Sequence, residues 1–416
     1  MTSESFITIG LWILHIIKIT SYYWIPVLLV YIGCRVWMKY IRLATIAKKE
    51  WIMLEIRIPK EVFKSPQAME IFLANALHQG GGMGNWYQKY WLGNVHTWFS
   101  LEMISEEGNV RFIIRAEKKW RRLVEAQLYA QYPNIEIKEV PDYTEKMVLN
   151  MYEAPWSIWG TEFKLAKPDP FPIKTYIDYG LDKAVGSLDE EQKIDPITPM
   201  VEFLSSLGPG EHAWFQFLVR PSIERYPDPE GGWGKVDWKK IAIQEKKKIL
   251  KEHELTLVGP DGKERTVRDM MNMTETEKLQ LNSLEKSVTK PGFDCGIRAL
   301  YLAKDGEFDP INITGLTGVF KQFNSEYLNS FKVQDPTAFD YPWQDLTGSR
   351  TRTLKIDMFD AYRRRSYFHP PYEKTPFVLN SEELATVFHL PSKTTEAPTL
   401  ERIEAKRATP PPNLPI

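Results

Sequence analysis

The residues that carry phosphate and metal chemistry are present in this chain, but not at the spacings which that chemistry needs. A phosphate-cradling loop requires GxxxxGK[ST], so that backbone N–H groups surround the phosphates while Lys and Ser/Thr reach the anion and its magnesium. That pattern does not occur. Gly259–Arg265 (GPDGKER) holds a Gly-Lys pair at the wrong spacing, and its place between short β-like runs reads as a turn. Gly80–Gly84 (GGGMG) can present N–H groups to an anion, but no Lys-Ser/Thr follows, and a flexible link from helix to strand accounts for it. The 7 histidines are scattered, none with a second ligand at i+3 or i+4 and a further pair nearby. His389, beside Phe388 and Leu390, reads as a packed histidine. Neither Cys34 nor Cys295 has a local base to make it a nucleophile. The pairs Glu190–Glu191 and Glu382–Glu383 read as solvated helix surface. The expectation is a non-enzyme, with no catalytic, cofactor-binding or metal-binding residue.

What remains are surfaces for binding. Trp86, Tyr87, Tyr90, Trp91 and Trp98 crowd one loop, with Lys89 among them. Interleaved aromatic and basic residues stack nucleic-acid bases; the same residues can cover a sheet, or rest on a bilayer or a partner. Lys118, Lys119, Arg121 and Arg122 open a helix against its dipole, which fits an acidic partner, phospholipid headgroups or simply a solvated face. Lys239, Lys240, Lys246, Lys247 and Lys248 read as the solvated face of another helix. Arg363, Arg364 and Arg365 form a basic knot. Trp86, Tyr87, Trp91 and these three arginines are candidate partner-binding residues.

The strongest positional signal is apolar. Tyr22–Met38 (YYWIPVLLVYIGCRVWM) carries one charge, Arg35, and with its neighbours from Ile19 to Ile41 it is long enough to cross a membrane. Aromatic rings at both ends favour the headgroup zone, and Pro26 is expected in the first turn, where its missing N–H costs little. Lys39, Arg42, Lys48 and Lys49 follow the run, and only Lys18 precedes it. Basic flanks stay cytoplasmic. The expectation is a single-pass inner-membrane protein with a cytoplasmic body, anchored by Tyr22, Trp24, Trp37, Lys39 and Arg42. No small-residue cleavage site follows, so a removed signal peptide is not expected. Phe6–Ile17 is too short to span; it lies in the interface or lengthens the helix. With 53 basic against 54 acidic side chains, no global nucleic-acid field is expected. The 2 cysteines make no disulfide framework, in keeping with a reducing compartment.

The elements that position these residues read as an α+β fold: a transmembrane helix, then two ferredoxin-like (βαββαβ) domains, the second with a long helical insertion. Residues 1–49 form the anchor and a basic juxtamembrane helix. In the first domain, 50–142, the strands are Trp51–Ile58, His96–Ile104, Val110–Ala116 and Ile135–Val140. Its helices run from Pro66, capped by Ser65, to about His78, and from Trp120 to Tyr132, the latter with Leu123, Ala126, Leu128 and Ala130 as candidate core residues. The second domain, 143–349, has strands at Trp159–Ala166, Lys174–Tyr179, His212–Val219, Phe293–Leu302 and Tyr327–Val333. One of its helices is capped by Asp195, with Pro196 in its first turn, and continues to Leu207; another spans Ile311–Phe323. The insertion, 221–291, holds helices at Asp237–Leu250 and Thr274–Val288, with a hairpin turning at Pro260-Asp261-Gly262. Residues 350–392 hold a strand at Thr353–Met358 and a helix at Ser381–Phe388, with Asn380 and Glu383 spaced as a capping box. Residues 393–416 form a Pro-rich tail.

Several runs resemble one family. Asp195–Pro221 (DPITPMVEFLSSLGPGEHAWFQFLVRP) is similar to a segment of the non-motor part of conjugative type IV secretion ATPases, in which a helix, a Gly-Pro-Gly break and a strand ending in Arg-Pro recur. Lys286–Ala303, Phe377–Ser392 and Pro398–Ile416 fit the same pattern. The whole chain resembles membrane-anchored, stand-alone proteins from candidate-phylum bacteria. The resemblance implies a non-catalytic scaffold that docks a separate motor ATPase, with one subunit per motor subunit, which leaves room for a homo-oligomer. In the fused relatives the motor domain follows a Pro-Asn-Leu-Pro-like exit, matched here by Pro412-Asn413-Leu414-Pro415, so ATP hydrolysis falls to another polypeptide. None of the matching positions is catalytic in that family. Pro411 and Leu414 therefore join the partner-binding candidates, in a tail expected to act as a docking strap. The alternative expectation is a membrane-tethered nucleic-acid binder that presents DNA to a translocase.

Overall fold

The computed structural model describes residues 3–59, 64–78, 84–147, 156–182, 194–252, 254–258, 264–268, 273–391 and 402–403. They fall into two compact units. The first takes in Met1–Lys49, Gly81–His96 and His369–Pro371, and two helices build it: α1 (Ser3–Ala47) and, later in the chain, the short α3 (Trp86–Tyr90). α1 absorbs the Phe6–Ile17 stretch into one continuous helix. Pro26 consequently lies in its interior and not, as expected, in a first turn. The 33-residue stretch His15–Ala47 is long and apolar enough to cross a membrane, and none of its most apolar window is buried. α3 replaces part of the expected loop because Asn85 caps it, accepting from Gln88 N at 3.0 Å. The chain then turns at Gly93 (φ 69°), where a Cβ would lie 2.7 Å from the Ile41 carbonyl carbon; only glycine lets this segment press so closely on α1.

The second unit is built on a sheet. Its elements begin with β1 (Trp51–Pro59), α2 (Pro66–Phe72, continued by a π-helical turn, Leu73–Leu77), β2 (Phe99–Glu106), β3 (Asn109–Glu117), α4 (Arg121–Gln131) and β4 (Glu136–Val140). There follow β5 (Trp156–Leu165), α5 (Thr198–Ser205) and β6 (Glu211–Pro221). The insertion holds β7 (Tyr226–Pro227), β8 (Lys235–Val236), α6 (Trp238–Glu252), β9 (Glu254–Val258), β10 (Glu264–Arg268) and α7 (Glu275–Thr289). The unit is completed by β11 (Gly292–Lys304), α8 (Ile311–Gly318), β12 (Phe331–Gln334), α9 (Ser349–Arg364), β13 (Phe377–Asn380), α10 (Ser381–Val387) and β14 (Arg402–Ile403).

The strands run β12-β5-β11-β6-β2-β3-β1, and β4 also pairs with β1. The order β4-β1-β3-β2 in one half recurs as β12-β5-β11-β6 in the other, every pair antiparallel. The halves join where β2 pairs with β6, from Phe99↔Val219 to Glu106↔His212. The boundary expected at 142/143 thus falls inside one continuous sheet. β2 and β3 are joined through Glu107 (φ 54°) and Gly108 (φ 86°), the left-handed pair that a two-residue hairpin turn demands.

Several expected elements are corrected. Lys174–Tyr179 is not a strand but a run of turns, with Thr175 N donating to Asp178 Oδ2 at 2.8 Å. Thr353–Met358 is not a strand either. Its alternating pattern lies inside α9, where Met358, Phe359, Ala361 and Tyr362 are buried at helical spacing. The C-terminal strand is instead β13, which pairs with β11. Asp195 is not the cap residue of α5, which begins at Thr198; its carboxylate accepts from Ile197 N at 3.1 Å. β12 is shorter than Tyr327–Val333. In α4 the buried residues are Val124 and Leu128, while Ala126 and Ala130 are exposed. The capping box at Asn380/Glu383 forms as expected, and Thr274/Glu277 forms a second one. The Pro260–Gly262 turn, Gly80–Met83 and nearly all of the Pro-rich tail lie outside the described residues.

Each face of the sheet has its own core. On one face Met69, Phe72, Val124, Leu128, Met200, Leu204, Leu316 and Leu384, all from helices, pack over Leu54, Leu101, Phe112, Phe215 and Phe217. On the other, Met358, Phe359 and Tyr362 of α9 pack with Ile104, Ile113, Trp214, Leu300 and Leu302. The Tyr367 ring lies so close on Gly296 of β11 that a Cβ there would stand 2.5 Å from it. Gly296→Ala should therefore cost about 1–3 kcal/mol of overpacking. A double-mutant cycle with Tyr367→Ala, read by thermal melts, should recover part of that loss; strict additivity would refute the contact.

Candidate functional site

Strands buried on both faces are expected to be apolar throughout, yet four neighbouring strands of the sheet unit contribute buried charged or amide residues that line up across the sheet. These are Glu162 (β5), Arg298 (β11), Gln216 (β6) and Glu102 (β2), all buried. Register places them side by side: Glu162 opposite Arg298, Arg298 opposite Gln216, and Gln216 opposite Glu102. The row lies on the α9 face and receives that helix's C-terminus. The last carbonyls of a helix have no intrahelical donor. Here Arg298 Nη1 donates to Ala361 O at 3.1 Å and Gln216 Nε2 to Tyr362 O at 3.1 Å. A buried cation at a helix C-terminus also complements the dipole. Arg298 Nε donates in turn to Glu162 Oε1 at 2.8 Å.

At the end of α9 the chain reverses through Arg365 in the left-handed region (φ 52°), which swings this one arginine inward. Its guanidinium is fully buried and donates to Glu102 through Nε (2.9 Å) and Nη2 (3.1 Å), and to both oxygens of Asp142. Glu102 also accepts from Ser100 Oγ (2.6 Å) and Tyr143 OH (2.8 Å), and Tyr143 OH meets Tyr362 OH at 2.6 Å. Burial alone would push the Glu102 and Asp142 carboxyls up. The Arg365 charge and the hydrogen bonds converging on each carboxylate outweigh it and hold both below the usual range. Burial pushes the Tyr143 and Tyr362 phenols well up, so they stay protonated and able to donate. With its charges mutually satisfied, the cluster is a positioning device: it fixes α9 and the Asp142–Tyr143 turn on the sheet.

A cleft of about 500 Å³ opens elsewhere in the same unit, between α2 and the start of α10. Glu70 at its wall accepts from Tyr176 OH (2.7 Å), Lys290 Nζ (2.7 Å) and Ser381 Oγ (3.0 Å), and Lys290 also pairs with Glu382 (2.7 Å). Its charges are engaged in tying three segments together.

In the first unit the expected anchor residues lie along α1, with Tyr22, Trp24, Trp37 and Lys39 exposed and Arg42 half-buried. α3 and the residues after it pack on α1. Trp37 Nε1 donates to Tyr90 O (3.2 Å), Thr45 Oγ1 donates to Leu92 O (2.7 Å), and the Trp37 and Trp91 rings lie 5.7 Å apart. Trp86, Tyr87, Tyr90 and Trp91 remain exposed, and Trp98, in the sheet unit, is buried.

The three arginines of the expected basic knot are not equivalent. Arg363 and Arg364 are exposed and share Asp360, at 3.4 and 2.7 Å. Arg365 is the buried centre of the charge cluster and so is unavailable to a partner. Lys118 pairs with Glu50, Lys119 with Glu117, and Arg121 with Glu125 and Glu139. His389 is packed as expected, its Nε2 2.8 Å from Asp195 Oδ1. Cys295 is buried. Pro411 and Leu414 lie outside the described residues. Among the described residues no His/Cys/Asp/Glu group could hold a metal ion. The polar row escaped the sequence reading, although its signal was present: charged or amide residues stranded within apolar runs, as in Phe99–Ser105 (FSLEMIS) or His212–Val219 (HAWFQFLV).

A family model described as a domain of unknown function (DUF8128) matches residues 42–402. The chain belongs to that family. No curated protein matches it. The DUF8128 match takes in the whole polar row and the Glu102–Arg365–Asp142 cluster, and begins after the exposed apolar run of α1.

Glu102→Gln leaves Arg365 with one charged partner fewer in a dry site and should cost about 3–5 kcal/mol at neutral pH. A carboxyl held below its unfolded value contributes stability above the ordinary carboxylate range and loses it as pH falls through the depressed value. The gap in melting temperature between the parent and Glu102→Gln should thus narrow as the pH is taken into the acid range. An unchanging gap from pH 7 downward would exclude this electrostatic role.

Proposed function

We propose that this chain is a membrane-anchored, non-catalytic scaffold that docks a separate motor ATPase in a type IV secretion or conjugation-like system. On this reading α1 fixes it to the inner membrane with the body in the cytoplasm, and the two halves of the sheet are ferredoxin-like modules. The observation that carries the proposal is α1, an exposed apolar helix long enough to span a bilayer, attached to a large sheet unit. The basic flank, Lys39, Arg42, Lys48 and Lys49 against Lys18, supports the cytoplasmic side.

The resemblance to the non-motor part of secretion ATPases gains support from where its segments lie. Asp195–Pro221, Lys286–Ala303 and Phe377–Ser392 are far apart in sequence but meet in space. Asp195 contacts His389, Arg220 pairs with Asp294 at 3.0 Å, and Gly292 pairs with Asn380 in the sheet. A resemblance that maps onto one contiguous piece of structure is more than a scatter of short runs. β12 stands at the end of the sheet order, and such an edge can accept a partner strand.

Less supports the nucleic-acid alternative. Arg365 is buried, Lys246 pairs with Glu285, Lys240 with Asp228, and Lys248 with Glu245. Several of the basic residues that could line a nucleic-acid groove are already engaged with carboxylates.

Full-length protein should stay with membranes through carbonate extraction and leave only with detergent; recovery in the carbonate supernatant would refute the anchor. Cross-linked capture of the tagged chain from its native membranes should bring down a P-loop ATPase of the conjugative class. Deleting Pro398–Ile416 should weaken that recovery while the thermal melt of the body stays unchanged, and undiminished recovery would dismiss the tail as a strap.

A further inference from the structure

We infer that Asn85–Leu92 is a second membrane contact, an aromatic foot lying in the headgroup zone of the bilayer that α1 crosses. The inference rests on the reading of α1 as a membrane span.

Its first support is a change of cover along α1. From His15 to Trp37 nearly every side chain is exposed; at Met38 burial begins, and Ile41 is only 7% exposed. Lipid must cover the first stretch, and protein covers the second. The protein cover is supplied by the foot, through the Trp37–Tyr90 and Thr45–Leu92 hydrogen bonds and the close approach at Gly93. The foot therefore sits at the level where lipid gives way to protein.

Helix rise gives that level independently. Lys18 and Lys39 bracket the uncovered stretch, and the rise of 1.5 Å per residue separates them by about 30 Å, which is the thickness of the hydrocarbon core. Trp37 and Tyr40 then mark the inner boundary, and Tyr90 and Trp91, packed against Trp37, share it.

The side chains suit that depth. Trp86 is 73% and Trp91 60% exposed, and Tyr87, Tyr90 and Leu92 are exposed beside them. So large a cluster of uncovered aromatic surface marks a contact, and amphipathic rings are enriched at the membrane interface. Lys89, whose Nζ lies 5.0 Å over the Tyr90 ring, adds with Lys39 and Arg42 the charge that anionic headgroups attract. The occupant is thus a phospholipid surface. The foot would fix the depth of α1 and brace the anchor against tilting.

The test uses the full chain reconstituted in liposomes of zwitterionic and anionic phospholipid. In a Cys34→Ser background, where the remaining Cys295 is buried, single Trp86→Cys, Tyr87→Cys and Trp91→Cys variants carry an environment-sensitive fluorophore. Val30→Cys, midway along the uncovered stretch of α1, serves as reference. The expected result is quenching of Val30 by lipids spin-labelled deep in the acyl chain. Probes at Trp86, Tyr87 and Trp91 should show a blue shift and quenching by lipids spin-labelled near the headgroup. A quenched Val30 with all three foot probes unquenched and water-like overturns the foot and leaves the anchor standing. An unquenched Val30 overturns both. Foot probes that only an added protein partner shields, with no response to labelled lipid, also overturn it.

Discussion

The sheet unit turns on one buried charge. Arg365 is fully enclosed, and its burial is tolerable only because Glu102 and Asp142 approach from two directions and further donors hold each carboxylate. An isolated buried guanidinium or carboxylate carries a desolvation cost of several kcal/mol, so the members are stable together and unstable singly. That interdependence ties together segments distant in sequence: β2, the turn after β4, and the C-terminus of α9. The adjacent row of Gln216, Arg298 and Glu162 continues the same logic by giving the last carbonyls of the helix, Ala361 O and Tyr362 O, a second donor each. A wholly apolar face would leave those carbonyls only the backbone N–H groups of Ser366 and Arg365 as donors.

Around that constraint the architecture is a duplicated one. Each half supplies four antiparallel strands in the same order, and the halves join strand to strand at β2 and β6. Joining there removes two edges that would otherwise be open to unwanted pairing. The helical insertion leaves the second half between β6 and β11, at the position of a simple hairpin in the first half. Its helices are bound to each other by the Lys246–Glu285 pair and to the sheet by Trp238 lying over Gly292. The additional segment is thus carried without interrupting the ladder between β6 and β11.

The first unit follows a different rule, because its stability depends on solvent. From His15 to Trp37 nearly every side chain of α1 is exposed, and the helix is long and apolar enough to cross a membrane. The short α3 takes over where the uncovered stretch ends. On the membrane reading proposed above, α1 and the aromatic segment together would hold the protein at a surface, and the proposed scaffold role gives that geometry a use.

Much of this was legible in the residue pattern. The apolar run of α1, the β2–β3 hairpin at Glu107-Gly108, and the caps at Ser65 and Asn380 depend on neighbours within a few positions, so spacing alone reveals them. The same local view misled at Thr353–Met358, where period-two alternation suggested a strand. What decides that segment is the apolar face of the sheet waiting for Met358, Phe359 and Tyr362, and no local pattern reports it. The polar row was visible only as four unexplained interruptions of apolar strands. Strand register turned them into a connected feature, because register sets which residues of distant segments stand side by side. Arg363, Arg364 and Arg365 make the division plain. Sequence established three consecutive positive charges; the left-handed turn at the end of α9 and the carboxylates beneath it settled that two face water and the third holds the fold together, since burial of a charge depends on partners that folding alone brings near.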